Sequence, residues 1–227
     1  FMGETLIDRS TVNFASQLTM ARRYLSRGEL DRAESKYRNI LARDSKNGDA
    51  YHGLGLIAYQ TENFTHAIDL IRHALVHQPD DIEAMNNLGT ALNAAGRYKE
   101  AEVVISEAIQ RRPDYPEAIN NLGSTLRRLK RRKEAIDVFN RGVKFAANFK
   151  LLRMNYARVL IEVRQFDEAI SFLNQHLEQE SQDLETHFMV GLAHAYANNF
   201  EAARDCFTIC IQLEPYDVES HFRRGHA

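Results

Sequence analysis

An alanine recurs at a constant spacing along most of this chain, with no insertion or deletion between repeats. The six positions are Ala33, Ala67, Ala101, Ala135, Ala169 and Ala203. Twelve residues before each alanine stands a small residue: Ala21, Gly55, Gly89, Gly123, Ala157 and Gly191. Four residues after each stands a large apolar residue: Tyr37, Ile71, Ile105, Phe139, Leu173 and Phe207. The alanines are 34 residues apart, and a fixed period of 34 residues predicts stacked helical repeats in place of one globular core.

The apolar residues within one period form two helical faces. The first face has the spacing i, i+3, i+4 and i+7 and consists of Met85, Leu88, Gly89 and Leu92. Gly96 interrupts the pattern, and the second face consists of Tyr98, Ala101, Ile105 and Ala108. One helix pair cannot bury this much apolar surface alone, so neighbouring pairs must stack.

This pattern resembles the tetratricopeptide repeat (TPR), a unit of about 34 residues with two antiparallel helices, A and B. The resemblance implies an all-α fold, a right-handed TPR superhelix or α-solenoid in which the A helices line the concave side. We expect six complete repeats at 14–47, 48–81, 82–115, 116–149, 150–183 and 184–217, then the truncated helix of a seventh at 218–227. Residues 1–13 are expected to be a leader or an expression remnant with the start of the first helix, and the chain a fragment of a longer protein.

Two residues of the fifth repeat depart from the TPR pattern. Arg153 stands where the family often has a large apolar residue. His176 stands where a small residue is usual.

Composition and motifs exclude several classes of function. The net charge of -2 argues against a nucleic-acid partner for the chain as a whole. No apolar run approaches the ~18 residues that a membrane helix needs, and no signal peptide opens the chain. No phosphate-binding loop, nucleophile elbow or zinc-protease helix occurs, so we expect no catalytic residue, metal or cofactor here. Whether a longer protein carries an enzymatic domain stays open. The default location is cytoplasmic.

An asparagine column suggests how a partner is held. Asn87, Asn121 and Asn155 share one helix A position that faces the groove in the TPR layout, and Asn86 and Asn120 precede two of them. We expect all five to contact a peptide in the groove. An amide can pair with a peptide backbone in either direction. The column resembles the asparagine ladder in the TPR region of O-linked N-acetylglucosaminyltransferase and related bacterial proteins. The alternative is inheritance by repeat duplication without use.

Cationic and polar residues continue the predicted groove. Thr90 and Ser124 lie one position outward, and Arg158 takes that place in repeat five. Arg127 and Arg128 end helix A of repeat four and begin a basic run up to 133. These arginines are candidates for binding an acidic partner. The alternative is a solvated turn that Glu162 partly neutralises.

The predicted groove becomes apolar towards the C-terminus. The inward-facing positions of helix A are expected to hold Met154, Phe188, Met189, Leu192 and Phe222. Exposed apolar patches usually mark a partner or a missing neighbour.

The sequence therefore predicts a scaffold that binds an extended protein or peptide segment in the concave groove, with self-association possible and no membrane partner. The asparagine resemblance favours the substrate-recruiting TPR domain of a larger glycosyltransferase-like protein. The alternative is a stand-alone TPR adaptor or assembly scaffold. RNA binding through the basic run is disfavoured because the run lacks interleaved aromatic residues for stacking.

Overall fold

The computed structural model describes residues 9–146 and 148–226, and every regular element in them is an α-helix. The all-α prediction is thereby confirmed for the described part of the chain. The helices run in the order α1 (Arg9–Ser26), α2 (Leu30–Leu41), α3 (Gly48–Gln60), α4 (Phe64–His77), α5 (Ile82–Ala94), α6 (Tyr98–Arg111), α7 (Pro116–Arg128), α8 (Arg132–Val143), α9 (Lys150–Glu162), α10 (Phe166–Leu177), α11 (Leu184–Tyr196), α12 (Phe200–Leu213) and α13 (Val218–His226).

The odd-numbered helices are the A helices of successive repeats, and the even-numbered helices are the B helices. From α3 to α13, each A helix begins on the first residue of a unit defined above from the sequence: Gly48, Ile82, Pro116, Lys150, Leu184 and Val218. Helix α1 begins at Arg9, within the expected leader. The rest of that leader, residues 1–8, lies outside the described residues.

The chain divides into two compact units, which we call unit 1 (Phe1–Pro113) and unit 2 (Asp114–Ala227). In unit 1, α3 packs beside α1 and α5. In unit 2, α9 packs beside α7 and α11. Each unit therefore has a surface made of neighbouring A helices, which we call its A-helix face.

The small and large columns of the sequence interlock inside each helix pair. A Cβ atom added to Gly89 would collide with Ile105, and one added to Gly123 would collide with the ring of Phe139. Gly55 and Gly191 have the same relation to the large residues of their own repeats, Ile71 and Phe207. The missing side chains let helix A approach helix B closely enough for the large side chain to be fully buried. All six large residues of the column and all six alanines are buried.

One residue in each A-to-B turn has a left-handed backbone. The positions recur once per repeat, five before each alanine of the column: Gly28, Glu62, Gly96, Lys130, Arg164 and Asn198. At each turn the backbone closes helix A with paired hydrogen bonds, as in Gly96 N to Asn93 O at 3.0 Å and Arg97 N to Leu92 O at 2.8 Å. Four of the six residues carry a side chain, so the closing bonds must outweigh the left-handed strain there.

Within the described residues, none of the helices combines the length and the apolar character needed to cross a membrane.

The interlock predicts a specific non-additive result. Gly89→Ala is expected to lower the free energy of unfolding by about 1–3 kcal/mol, because its methyl group overlaps Ile105. Ile105→Ala also destabilises the chain but makes room, so the double variant should be more stable than the sum of the single effects predicts. Urea denaturation of the four proteins measures this coupling. Additive effects would contradict close packing of these two residues.

Candidate functional site

The A-helix face of unit 2 contains an open pocket of about 690 Å³. It lies between α9 and α11 and is closed at one end by the turn into α10. Its walls contain Arg158, Ile161, Glu162, Arg164, Phe166, Glu185, Phe188, Met189, Leu192 and Tyr196. The volume falls within the range of binding pockets in proteins.

Apolar and aromatic side chains form one wall of this pocket. Phe188 is half-buried because its ring packs against Phe207 of α12, with the ring centroids 5.6 Å apart. Leu192 and Ile161 pack against the buried core of unit 2 with part of each side chain left exposed. Tyr196 is 55% exposed. The wall thus offers apolar surface that no described residue covers.

The structure places the five residues of the sequence-derived apolar patch differently from one another. Phe188, Met189 and Leu192 line the same pocket, although Met189 is itself buried. The groove assignment of Met154 needs correction, because this residue is buried in the core beside Met189. Phe222 lies on α13, is exposed, and is not part of the pocket wall.

Both carboxylates in the pocket wall already have cationic neighbours. Glu162 accepts from Arg127 Nη1 at 2.6 Å, and its other oxygen lies 3.4 Å from Arg132 Nε. The basic run is therefore partly neutralised by Glu162, as the sequence suggested. Glu185 lies 2.9 Å from Lys150 Nζ, and this hydrogen bond is the main reason that the pKa of Lys150 is raised.

Two arginines in the wall have no such neutralisation. Arg158 Nη1 makes only a long contact of 3.5 Å with the amide oxygen of Asn155. Arg164 lies in the left-handed turn, with its guanidinium carbon 5.9 Å from the centroid of the Phe166 ring. Among the described residues, neither arginine has a carboxylate within ion-pair distance. The sequence reasoning found Arg158 but missed Arg164, Phe166, Ile161 and Tyr196, which belong to the end of α9, the following turn and the end of α11.

The asparagine column forms hydrogen bonds between consecutive A helices. Asn155 Nδ2 donates to Asn120 Oδ1 at 2.8 Å in unit 2. Asn87 Nδ2 lies 2.9 Å from His52 Nε2 in unit 1. Both bonds join residues 35 positions apart, so they are equivalent in the repeat. Asn87 and Asn155 thus each use one amide N–H inside the chain, and a peptide backbone would pair with the remaining N–H and the amide oxygen or compete for the bond already made.

The position before the column points into the helix stack. Asn86 and Asn120 are almost completely buried, which corrects their assignment to the open groove. Met154 holds the same position in repeat five and is buried for the same reason. Met189 holds the asparagine position in repeat six, so the Met154 and Met189 pair takes the place of an asparagine pair.

The remaining groove candidates lie on these A helices. Asn121, Ser124 and Thr90 are half-buried, and Arg128 is exposed at the end of α7. The hydroxyl of Thr90 donates to the carbonyl oxygen of Asn86 at 3.0 Å within its own helix.

A second pocket, of about 400 Å³ in size, lies on the A-helix face of unit 1 and includes His52 and Asn87. His52 Nδ1 is 3.6 Å from Asp81, whose carboxylate also accepts the Ala84 N–H at the start of α5. The hydrogen bond with His52 is the main reason that the pKa of Asp81 is lowered.

The two departures from the TPR pattern meet at one carboxylate, that of the partly buried Asp183. Arg153 Nη2 lies 3.4 Å and His176 Nε2 3.2 Å from the same oxygen of Asp183, which also accepts from the Thr186 hydroxyl at 2.8 Å. Burial raises the pKa of Asp183, but the Thr186 hydroxyl, the Lys150 ammonium and the other neighbours outweigh it and hold the pKa below its usual range.

This carboxylate cluster has the spacing of a cation site but a different charge environment. His176, Glu180 and Asp183 place three potential ligand atoms within 4.8 Å of one another. Arg153 and Lys150 border the same Asp183 carboxylate and would repel a cation. We therefore interpret the cluster as a charge network that holds α9, α10 and α11 together.

Comparison with known proteins identifies the family. Models of the tetratricopeptide repeat match residues 18–82 and 80–148, which together span more than half of the chain. The chain belongs to the tetratricopeptide repeat family, and it is a TPR scaffold for protein–protein interaction. No curated protein sequence matches it.

Solved structures with the same fold include several bacterial TPR proteins. PilF of Pseudomonas aeruginosa is 19% identical, aligns over 97% of this chain and 100% of its own with a TM-score of 0.80. YrrB, described as a TPR protein with an unusual peptide-binding site, is 19% identical. The alignment covers 83% of this chain and 97% of YrrB, with a TM-score of 0.64. MamA of Desulfovibrio magneticus RS-1 is 19% identical. The alignment covers 76% of this chain and 97% of the MamA chain, with a TM-score of 0.66. At this identity the likeness shows the fold alone, and the predicted fold class, an all-α TPR superhelix, is confirmed.

The charge network predicts an asymmetric response to substitution. Asp183→Ala should lower the free energy of unfolding by about 3 kcal/mol, because it removes the carboxylate that faces buried Arg153. Arg153→Leu restores the apolar residue usual in the family and should cost no more than about 1 kcal/mol. Chemical denaturation at neutral pH measures both. Equal losses in the two variants would show that the network is not needed to bury the arginine.

The pair Asn120 and Asn155 and the pair Met154 and Met189 occupy equivalent positions in the repeat, which gives a second prediction. Asn155→Met should cost about 1–3 kcal/mol, because Asn120 Oδ1 loses its donor in a buried place. Adding Asn120→Met should recover most of this loss, because Met154 and Met189 occupy the same two positions in the next pair of repeats. Thermal and urea unfolding test it, with Asn174→Ala, at an exposed position of α10, as the neutral control. A double variant less stable than the single one would contradict the equivalence.

Proposed function

We propose that the chain is an adaptor that holds an extended segment of a partner protein in the pocket between α9 and α11. The observation that carries the proposal is the uncovered apolar wall of Phe188, Leu192 and Tyr196 around a pocket of about 690 Å³. An open pocket lined by both apolar and charged side chains suits a peptide segment that offers both kinds of side chain. The chain acts by binding alone, without a cofactor, in the cytoplasm.

The comparisons support the stand-alone form of this function. This chain covers 100% of PilF and 97% of YrrB, so the fold occurs in TPR chains of similar extent. YrrB is described as having a peptide-binding site. We take it as support for a peptide ligand, and the position of the site rests on the pocket in this chain.

The alternative is the substrate-recruiting arm of a glycosyltransferase-like protein. Its basis is the resemblance of Asn87, Asn121 and Asn155 to an asparagine ladder. Because Asn87 and Asn155 donate to neighbouring helices, backbone pairing with a peptide plays a secondary part in our proposal. In this proposal, Arg158 and Arg164 and the apolar wall of the pocket make the main contacts with the partner.

Selection from a random peptide library displayed on phage tests the proposal with the purified chain as bait. Enriched peptides, made synthetically, should bind the chain, and Tyr196→Ala should weaken them by about 5-fold or more because it removes exposed aromatic contact area. Fluorescence anisotropy measures the affinities.

Tyr216→Ala is the matched control, since Tyr216 is 92% exposed and lies outside the pocket. It should leave the affinities unchanged. The proposal is wrong if no peptide is enriched, or if the peptides bind wild type and the Tyr196 variant equally well.

A further inference from the structure

In the pocket of unit 2, the acidic side chains are paired with cations, whereas the basic side chains are not paired with carboxylates. Its wall contains two carboxylates and two guanidinium groups, which by count alone would cancel. Glu162 is shared by Arg127 and Arg132, and Glu185 is held by Lys150. Both carboxylates are thus compensated by cations outside the pocket wall.

The two guanidinium groups in the wall keep their charge uncompensated. Arg158 is exposed on α9, and Arg164 is exposed in the turn that follows. Within the described part of the chain, each lacks an ion-pair partner. A guanidinium group presents several N–H donors in a plane and binds carboxylates with high directional specificity.

The cations and the apolar wall lie in the same pocket. Arg164 is held beside the Phe166 ring, while Arg158 stands one helical turn from Ile161 on the same helix. A single short segment can therefore place a large side chain against Phe188, Leu192 and Tyr196 and a carboxylate against either arginine. A purely apolar segment would leave both cations in the complex without a partner, at a cost in affinity.

We infer that the pocket between α9 and α11 selects a partner segment in which a large apolar side chain stands beside an aspartate or glutamate. The inference rests on the proposed function and names the chemistry of its ligand. The side-chain carboxylate pairs with Arg158 and Arg164, and the apolar neighbour fills the wall.

The peptides enriched from the phage library test this chemistry. We expect an aspartate or glutamate within a few residues of an aromatic or large aliphatic residue. Each peptide is made with an amidated C-terminus in two forms. One form keeps the aspartate or glutamate, and the other has asparagine or glutamine in its place. The amide form should bind about 5- to 10-fold more weakly at about 50 mM salt, and the difference should shrink at higher salt.

Reversing the charge of the two arginines tests whether they are the groups that bind the acidic residue of the peptide. The double variant Arg158→Glu with Arg164→Glu should lose the acidic peptide and gain affinity for the peptide with lysine in place of the acid. Glu62 holds the equivalent turn position in repeat two, so the chain tolerates glutamate there. Arg141→Glu with Arg204→Glu, two exposed arginines of B helices in unit 2, is the matched control and should leave binding unchanged.

The possible results separate the two proposals. Enriched peptides that need Tyr196 but contain no acid would leave the proposed function standing and overturn this inference. Peptides that bind only with a free C-terminal carboxylate, or only with a phosphorylated residue, would also overturn it. Self-association that Tyr196→Ala abolishes in sedimentation would make a second copy the occupant and would overturn it. If no peptide is enriched, both proposals fail.

Discussion

Four of the described helix pairs depend on the contact between a glycine on helix A and a large residue on helix B. A methyl group placed on Gly89 would overlap Ile105, and the same holds at Gly55, Gly123 and Gly191, so the two helices leave little space between them. The contact fixes the separation of the two helices, and the left-handed turn five residues before each alanine fixes their connection. Because the columns of small and large residues and this turn recur in every repeat, neighbouring pairs stack in the same way within each unit.

This constraint leaves the A-helix face free to vary. The interlock uses the side of helix A that meets helix B, and the amide and methionine pairs use the sides that meet the neighbouring A helices. The outward residues, such as Arg158 and Tyr196, are exposed and lie outside the buried core. They can take the charge and shape that a partner needs without loss of the fold.

The fold was largely predictable from the sequence, and the site only in part. Helix positions and the alanine column followed from the period, because each repeat makes the same local contacts. The family resemblance failed at Asn86, Asn120 and Met154, which it assigned to the groove. Their position turns towards the following A helix, as the bond from Asn155 to Asn120 shows, and a change of one residue on a helix rotates a side chain by about 100°.

The sequence by itself determined the number and phase of the helices and the small and large columns that pack between helix A and helix B, because these depend on contacts within one repeat. Only the tertiary structure decided which charges remain available. Glu162 is neutralised from α7 and α8, and Glu185 from the first residue of α9, whereas Arg158 and Arg164 are left uncompensated. Likewise, Arg153 and His176 appeared as unrelated departures until the fold brought both to Asp183. Apart from His176 with Asp183, these ion pairs join residues 30 or more positions apart, and they do not recur in every repeat, so the sequence pattern does not encode them.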